Sequence, residues 1–305
     1  MKQIGLWVRA MRLPFLQASL IPAALGSALA YRNGTFSWGL FVGIMAGIGA
    51  INIATNLSND YFDHRSGADE RNRQPTPFSG GSRVIQEGRI PSETVFVAAM
   101  ISYAVAVVIG LFLTVQSGWT LLWFGVPGVV LSYFYTAPPL KLGYRGWGEF
   151  LVGVLLGPLA VMGSYYVYSR ALTPQAFLLS LPVGFLVAGI LYINEFPDAD
   201  SDAASGKRHW IVRVGRKKAV KGYFAILGAA YLSLLLSGWP GPLPAWTLLA
   251  LASLPIAVQA GRILYRSYDQ SQRLIPAMGL TIGAHLAVGL LQIVGLLLDA
   301  WRGHA

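Results

Sequence analysis

The sequence has no cysteine, so disulfides, thiolate nucleophiles and thiolate metal ligands are all excluded. Charge is also scarce. Asp, Glu, Lys and Arg make up 12% of the residues, where a soluble domain carries about 25%. Only 13 of 305 residues are acidic and only four are His. These shortages rule out an ordinary soluble globular protein. What is present instead is apolar: 54% of the residues are hydrophobic, and the mean hydropathy is +0.54. The apolar residues fall in runs of about 20, the length a helix needs to cross a bilayer. An all-α, polytopic membrane protein is expected, forming a single domain over residues 1–305.

Nine spans are expected, roughly at 14–31, 36–57, 93–116, 119–136, 148–169, 174–195, 218–237, 244–265 and 276–299. The first reads as a retained span rather than a cleaved signal peptide, because its apolar run continues to Tyr31. Span 119–136 is short and carries Pro127. Small residues, as in "GIMAGIGAINIA", suit close helix packing in lipid. Spans 14–136 and 148–265 read as two four-helix halves, with 276–299 left over.

The net charge of +10 would suggest nucleic acid in a soluble protein. Here it follows the positive-inside rule, and no nucleic-acid partner is expected. With nine spans, 20 of the 23 Lys and Arg residues fall on the side of the N-terminus and the even loops; Arg32, Arg170 and Arg302 fall opposite. Twelve of the 13 acidic residues share the basic side, all but Asp299. The expected arrangement is nine helices around a central chamber that opens on the cytoplasmic side of the plasma (inner) membrane.

Two acidic stretches carry the chemistry, "NLSNDYFDHRSGAD" (56–69) and "INEFPDADSDAASGK" (193–207). On a helix, Asn56, Asn59, Asp60 and Asp63 share one face, as do Asn194, Asp198 and Asp202. Asp200 points elsewhere, and Pro197 is expected to kink or restart the second helix. Clustered oxygen donors without Cys or paired His suit a hard cation such as Mg²⁺, bound with phosphate oxygens. Arg65, Arg71, Arg73, Arg83, Lys207 and Arg208 lie close in sequence and can neutralise a polyphosphate. Tyr135 and Lys141, in "YTAPPLKLGYRGWGE", are expected to face the same polar chamber. His209, directly after Lys207 and Arg208, is expected near the diphosphate or the acceptor mouth.

These stretches resemble the UbiA-type membrane prenyltransferases. Asn59, Asp60, Asp63 and Asp69 match the family pattern NDxxDxxxxxD, and Asp198, Asp202, Gly206 and Lys207 match DxxxDxxxGK. "YTAPPLKL" and "GGSRVIQEG" also look like family segments. The resemblance implies transfer of a prenyl group from an isoprenyl diphosphate to an aromatic acceptor within the membrane. It further implies Mg²⁺ held by Asp60, Asp63, Asp69, Asp198 and Asp202, with membrane lipid as surroundings. "NDYFDHRSGAD" looks most like the branch that prenylates dihydroxynaphthoate in menaquinone synthesis. That branch usually has Asn, Arg and Thr-Leu where this chain has Glu195, Pro197 and His209-Trp210. The alternatives are another acceptor (hydroxybenzoate, homogentisate or a porphyrin-type ring), terpene cyclisation, and a cation-coupled transporter. A transporter places ionisable residues near the bilayer midplane, whereas here they gather at one end of the spans.

Overall fold

The computed structural model describes residues 2–72 and 75–304. Among them there is no β-strand, only helices and the loops joining them. In chain order the helices are α1 (Lys2–Ala10), α2 (Gln17–Arg32), α3 (Trp38–Ser66), α4 (Ala68–Arg71), α5 (Ser92–Ser117) and α6 (Leu122–Tyr133). Then come α7 (Gly148–Val154), α8 (Ala160–Ser169), α9 (Pro174–Ala204), α10 (Trp210–Val214), α11 (Arg216–Gly238), α12 (Leu254–Ser267) and α13 (Ser271–His304). A wide turn at Leu155–Leu159, where Pro158 cannot donate, joins α7 to α8 as one span.

Eight segments among the described residues are long and apolar enough to cross a membrane. The expected span at 119–136 is the exception, reduced to a short apolar segment, Trp119–Tyr133. It still traverses the molecule. Its start adjoins Ser117, whose hydroxyl donates to Val167 O at 2.7 Å near the end of α8. Its end brings Tyr133 within 5.9 Å of the Phe62 ring at the far end of α3. The face opposite the acidic stretches is closed by Arg32 Nε on Asp299 (2.7 Å) and by Arg170 on the Gln116 carbonyl (2.7 Å).

The two helices that carry the acidic stretches outrun their expected ends. α3 continues from the apolar run to Ser66, so Asn56 to Asp63 sit on regular helix. It stops at Gly67, whose left-handed conformation turns its N–H back onto the Asp63 and His64 carbonyls. α9 starts with Thr173 accepting from the Ala176 N–H and with Pro174 in the first turn. It passes through Pro197 to Ala204 as one helix. The expected restart at Pro197 does not occur: the ring is accommodated, and Arg216 Nε from the next span donates to the Phe196 carbonyl at 2.9 Å.

The largest core is built from α2, α8, α9, α11, α12 and α13. α9 is the most enclosed span, with 72% of its apolar window inside the protein. Contact with α7–α8 depends on small residues: a Cβ on Gly157 would come within 2.6 Å of the Gly184 Cα.

Candidate functional site

A chamber of about 600 Å³ runs through the first six segments. Its wall comes from α2, α3, α5, α6, α7–α8 and α9, and among the described residues none after His209 reaches it. The ring is thus narrower than the nine helices expected from the sequence; α11 to α13 support α2 and α9 from outside. Most of the wall is apolar, including Ile48, Leu122, Leu156 and Leu191. Exposed Val107 and Leu111 of α5 and Val126 and Val130 of α6 extend that lining without being covered by other side chains. One end is polar, where the ends of α3 and α9 meet.

At the end of α3, buried Asp60 takes the Arg12 guanidinium and the Ser82 backbone N–H (3.2 Å). Asp63 takes the Tyr144 hydroxyl at 2.6 Å and Lys207 Nζ at 2.9 Å. Asp69 lies behind them, with Gln86 at 3.3 Å and Gly81 against its carboxylate. A Cβ on Gly81, whose φ is +76°, would stand 2.5 Å from Asp69 Oδ2. Only glycine lets the backbone approach so closely in that conformation. Burial, reinforced by Asp63 and Asp60, pushes the Asp69 carboxyl up to about 8. So much like charge in one place favours a bound cation.

At the end of α9, Asp198 Oδ1 accepts from Asn72 (2.8 Å) and Ser79 (2.9 Å). Asp202 is shared between Lys207 (3.5 Å) and His209 Nε2 (3.2 Å). Lys207 reaches both helices because α9 ends in a tight turn. Gly206 adopts φ +83°, and the Lys207 N–H returns to the Asp202 carbonyl at 2.9 Å. Burial alone would lower its pKa, but Asp63 and Asp202 outweigh that and hold the ammonium well above the usual lysine value. The loop after α4 is drawn over this end through Asn72, Ser79 and Ser82.

The structure therefore gathers Asn56, Asn59, Asp63, Asp69, Asn194, Asp198, Asp202, Lys207, His209 and Tyr135 in one chamber wall. Asp60 sits just behind it, covered by Arg12 and Ser82. Asn56 and Asn59 also brace the entry of the chain: Asn56 donates to the Met11 carbonyl at 3.1 Å, and Arg12 to Asn59 at 3.4 Å. Tyr135 packs its ring on Gly143 and Gly148. Burial, then Glu195 and Glu149, push its phenol well above the usual tyrosine value, so it stays a donor.

Five predicted cations are placed elsewhere, among them Arg71, which is exposed and donates to the Ala204 carbonyl at 2.8 Å. Arg65 is exposed and lies over the Tyr61 ring. Arg208 is exposed, and its backbone pairs with Tyr144 and Arg213. Arg83 turns to the Asp69 carbonyl and borders a neighbouring groove. Lys141, expected to face the chamber, stands outside its wall, 5.2 Å over the Tyr144 ring. Arg73 lies outside the described residues. Asp200 faces away, paired with Arg216 at 3.0 Å.

Sequence reasoning missed Arg12, Tyr144, Asn72, Ser79, Ser82 and Glu149. By sequence alone, Arg12 is one of the basic residues before the first apolar run, and Tyr144 one aromatic in a Pro-rich loop. The polar loop residues carry no local signal, since their partners lie 22 to 126 positions away.

The family model for UbiA prenyltransferases matches residues 19–283. The chain belongs to the UbiA prenyltransferase family. As a UbiA-family prenyltransferase it is a multi-pass membrane enzyme. It is 29% identical over 290 residues to a 1,4-dihydroxy-2-naphthoate octaprenyltransferase of Bacillus subtilis, covering 94% of this chain and 90% of that one. It is 30% identical over 301 residues to a 2-carboxy-1,4-naphthoquinone phytyltransferase of Synechocystis, covering 98% and 94%. Among solved structures, a UbiA homologue of Archaeoglobus fulgidus bound to DMAPP and Mg²⁺ superposes with a TM-score of 0.68 at 13% identity, covering 94% of this chain and 99% of that one. The apo UbiA homologue of Aeropyrum pernix gives 0.70 at 16% identity, covering 94% and 98%. These two likenesses establish the fold.

Proposed function

We propose that this UbiA-family enzyme transfers a prenyl group from an isoprenyl diphosphate to a dihydroxynaphthoate in menaquinone biosynthesis. The active site would face the cytoplasmic side of the plasma (inner) membrane. One observation carries the reading: two carboxylate pairs on separate helices converge at the mouth of an apolar chamber and share Lys207 between them. The naphthoate relatives covering nearly the whole chain support the acceptor class.

The donor set fits Mg²⁺. Asp60, Asp63, Asp69, Asp198 and Asp202 are all oxygen donors at one chamber end, as a hard cation prefers, and they would hold it. When bound, Mg²⁺ supplies positive charge that neutralises the diphosphate as it departs. The chain's own groups do the rest. Lys207 and Arg12 add fixed cations beside those carboxylates. The Tyr144 hydroxyl keeps Asp63 in place. The prenyl C–O bond breaks with its electron pair going to the diphosphate, and the ring carbon bonds to the allylic carbon. The ring then regains aromaticity by losing the group that shared the attacked carbon. The apolar wall keeps water from the allylic cation and accommodates the prenyl tail.

The deciding experiment incubates purified enzyme with geranyl and longer diphosphates, Mg²⁺ and a panel of aromatic acceptors, read by mass spectrometry. A prenylated naphthoquinol product is expected. Product only on hydroxybenzoate or homogentisate would overturn the acceptor and leave the diphosphate chemistry standing.

A further inference from the structure

Beside the carboxylate pairs, a second group of ionisable side chains has no counterpart in the chemistry above. Glu149 from α7, Glu195 from α9 and His209 at the start of α10 each offer a ligand atom, and these atoms lie within 4.8 Å of one another. All three residues are more than nine-tenths buried. His209 Nε2 faces Asp202 Oδ2 at 3.2 Å. Glu149 Oε1 is held by the Trp210 N–H at 3.3 Å. The remaining atoms, His209 Nδ1, Glu195 Oε2 and Glu149 Oε2, have no hydrogen-bond partner among the described residues. His209 Nδ1 and Glu195 Oε2 are 3.3 Å apart, yet not aligned as a hydrogen bond.

Asp202, held by Lys207, stands at Nε2, so Nδ1 is the ring atom left toward the two glutamates. Nδ1 and the two carboxylates then meet within 4.8 Å, a buried polar cluster that shared protons or a cation must hold together. Among the described residues no Lys or Arg pairs with either glutamate; Lys207 is taken by Asp63 and Asp202. Buried polar atoms are rarely left so. A dication between them removes the conflict. Two ligands bonded at about 2.0 Å to a tetrahedral metal stand about 3.3 Å apart, as His209 Nδ1 and Glu195 Oε2 do here. Metal-bound His normally donates its other ring N–H to a carboxylate, which is the part Asp202 plays. One imidazole with two carboxylates favours a transition metal over Mg²⁺, which takes oxygen ligands.

We propose that Glu149, Glu195 and His209 form a metal site for one transition-metal dication of the zinc type, separate from the diphosphate site and joined to it through the His209–Asp202 contact. Glu195 and His209 both line the chamber, so the fourth position faces it and takes water. The metal fixes the imidazole, and the imidazole fixes Asp202.

The test uses the full-length protein in detergent, without substrate. It is stripped with chelator, offered Zn²⁺ in millimolar Mg²⁺, desalted and analysed by mass spectrometry for metal. About one zinc per chain should remain in the wild type and in Asp198→Asn. Less than a fifth of that should remain in Glu195→Gln and His209→Phe. X-ray absorption should show a single imidazole ligand. Because His209→Phe can misfold, the isosteric Glu149→Gln serves as control: Zn²⁺ should raise the unfolding temperature of the wild type and not of this variant. No retained zinc in the wild type would overturn the site. So would zinc content unchanged in both Glu195→Gln and Glu149→Gln. Higher stability of Glu195→Gln with no zinc in the wild type would show instead that protons settle the conflict.

Discussion

The carboxylates at the end of α3 are met by the protein's own cations, Arg12 on Asp60 and Lys207 on Asp63. At the end of α9, Asp198 is met by neutral donors, Asn72 and Ser79, and Asp202 shares Lys207 at the longer distance of 3.5 Å. The two stretches look alike in sequence, yet they stand in different electrostatic surroundings. At the first, Asp60 and Asp63 each hold a cation before any substrate arrives. The second is fixed in position but keeps more of its negative charge, so it depends more on a metal. The polar donors around Asp198 come from the same loop that caps Asp60 through Ser82, so one segment organises both.

The widest break in this comparison comes from neutralising one carboxylate on each side. Loss of one preorganised electrostatic group costs about 10²–10³ in rate. Falls of that order in kcat/KM are expected for Asp60→Asn and for Asp198→Asn. The Mg²⁺ requirement should rise more in Asp198→Asn, where no protein cation compensates. The double variant should lose less than the product of the singles, since both serve one transition state. Activity within about threefold of wild type in both singles at limiting Mg²⁺, far short of that expectation, would sink the shared site.

The next effect is on stability. Removing one partner of a buried ion pair costs about 3–5 kcal/mol because a charge is left unpaired. Arg12→Gln should therefore lower the unfolding temperature in detergent, and adding Asp60→Asn should restore much of it. The same Gln change should be milder at Lys207 if Tyr144 and His209 keep their carboxylates satisfied. Equal losses at both positions would show that Tyr144 and His209 do not hold Asp63 and Asp202 without the ammonium.

A smaller effect is expected from Gly81→Ala. A left-handed conformation costs a non-glycine residue about 1–2 kcal/mol, and the added Cβ meets Asp69 at 2.5 Å. The loop should loosen, and protease cleavage within 75–91 should rise, with protection regained on adding Mg²⁺ and a prenyl diphosphate together. Cleavage equal to wild type would show that the loop does not need this contact.

The smallest change is expected at Asp200, which is exposed and paired with Arg216. A surface ion pair is worth about 0–1 kcal/mol. Asp200→Asn should leave kcat/KM within about threefold, since loss of a surface pair is worth little. A fall as large as that of Asp198→Asn would mean that α9 presents a different face to the substrate.

Much of this was legible in the amino-acid order, because the signals are local. Runs of apolar residues set the helices by length, and spacing of three and four placed Asp60 with Asp63 and Asp198 with Asp202 on single faces. The absence of Cys, the scarcity of charge and its gathering at one end pointed to oxygen-ligand chemistry at one face of a membrane protein. Long-range pairing was decided only by the tertiary structure. Arg12 meets Asp60 across 48 positions and Lys207 meets Asp63 across 144, and no periodicity reports such distances. The fold alone turned Lys141, Arg65 and Arg208 away, since an arginine near an acidic motif in sequence has no fixed direction until the helix ends are packed. Nor could sequence show that Glu149, Glu195 and His209 share one buried point. They belong to three separate segments, and only the packing of α7 against α9, with α10 folded back beneath them, brings their unpartnered atoms together.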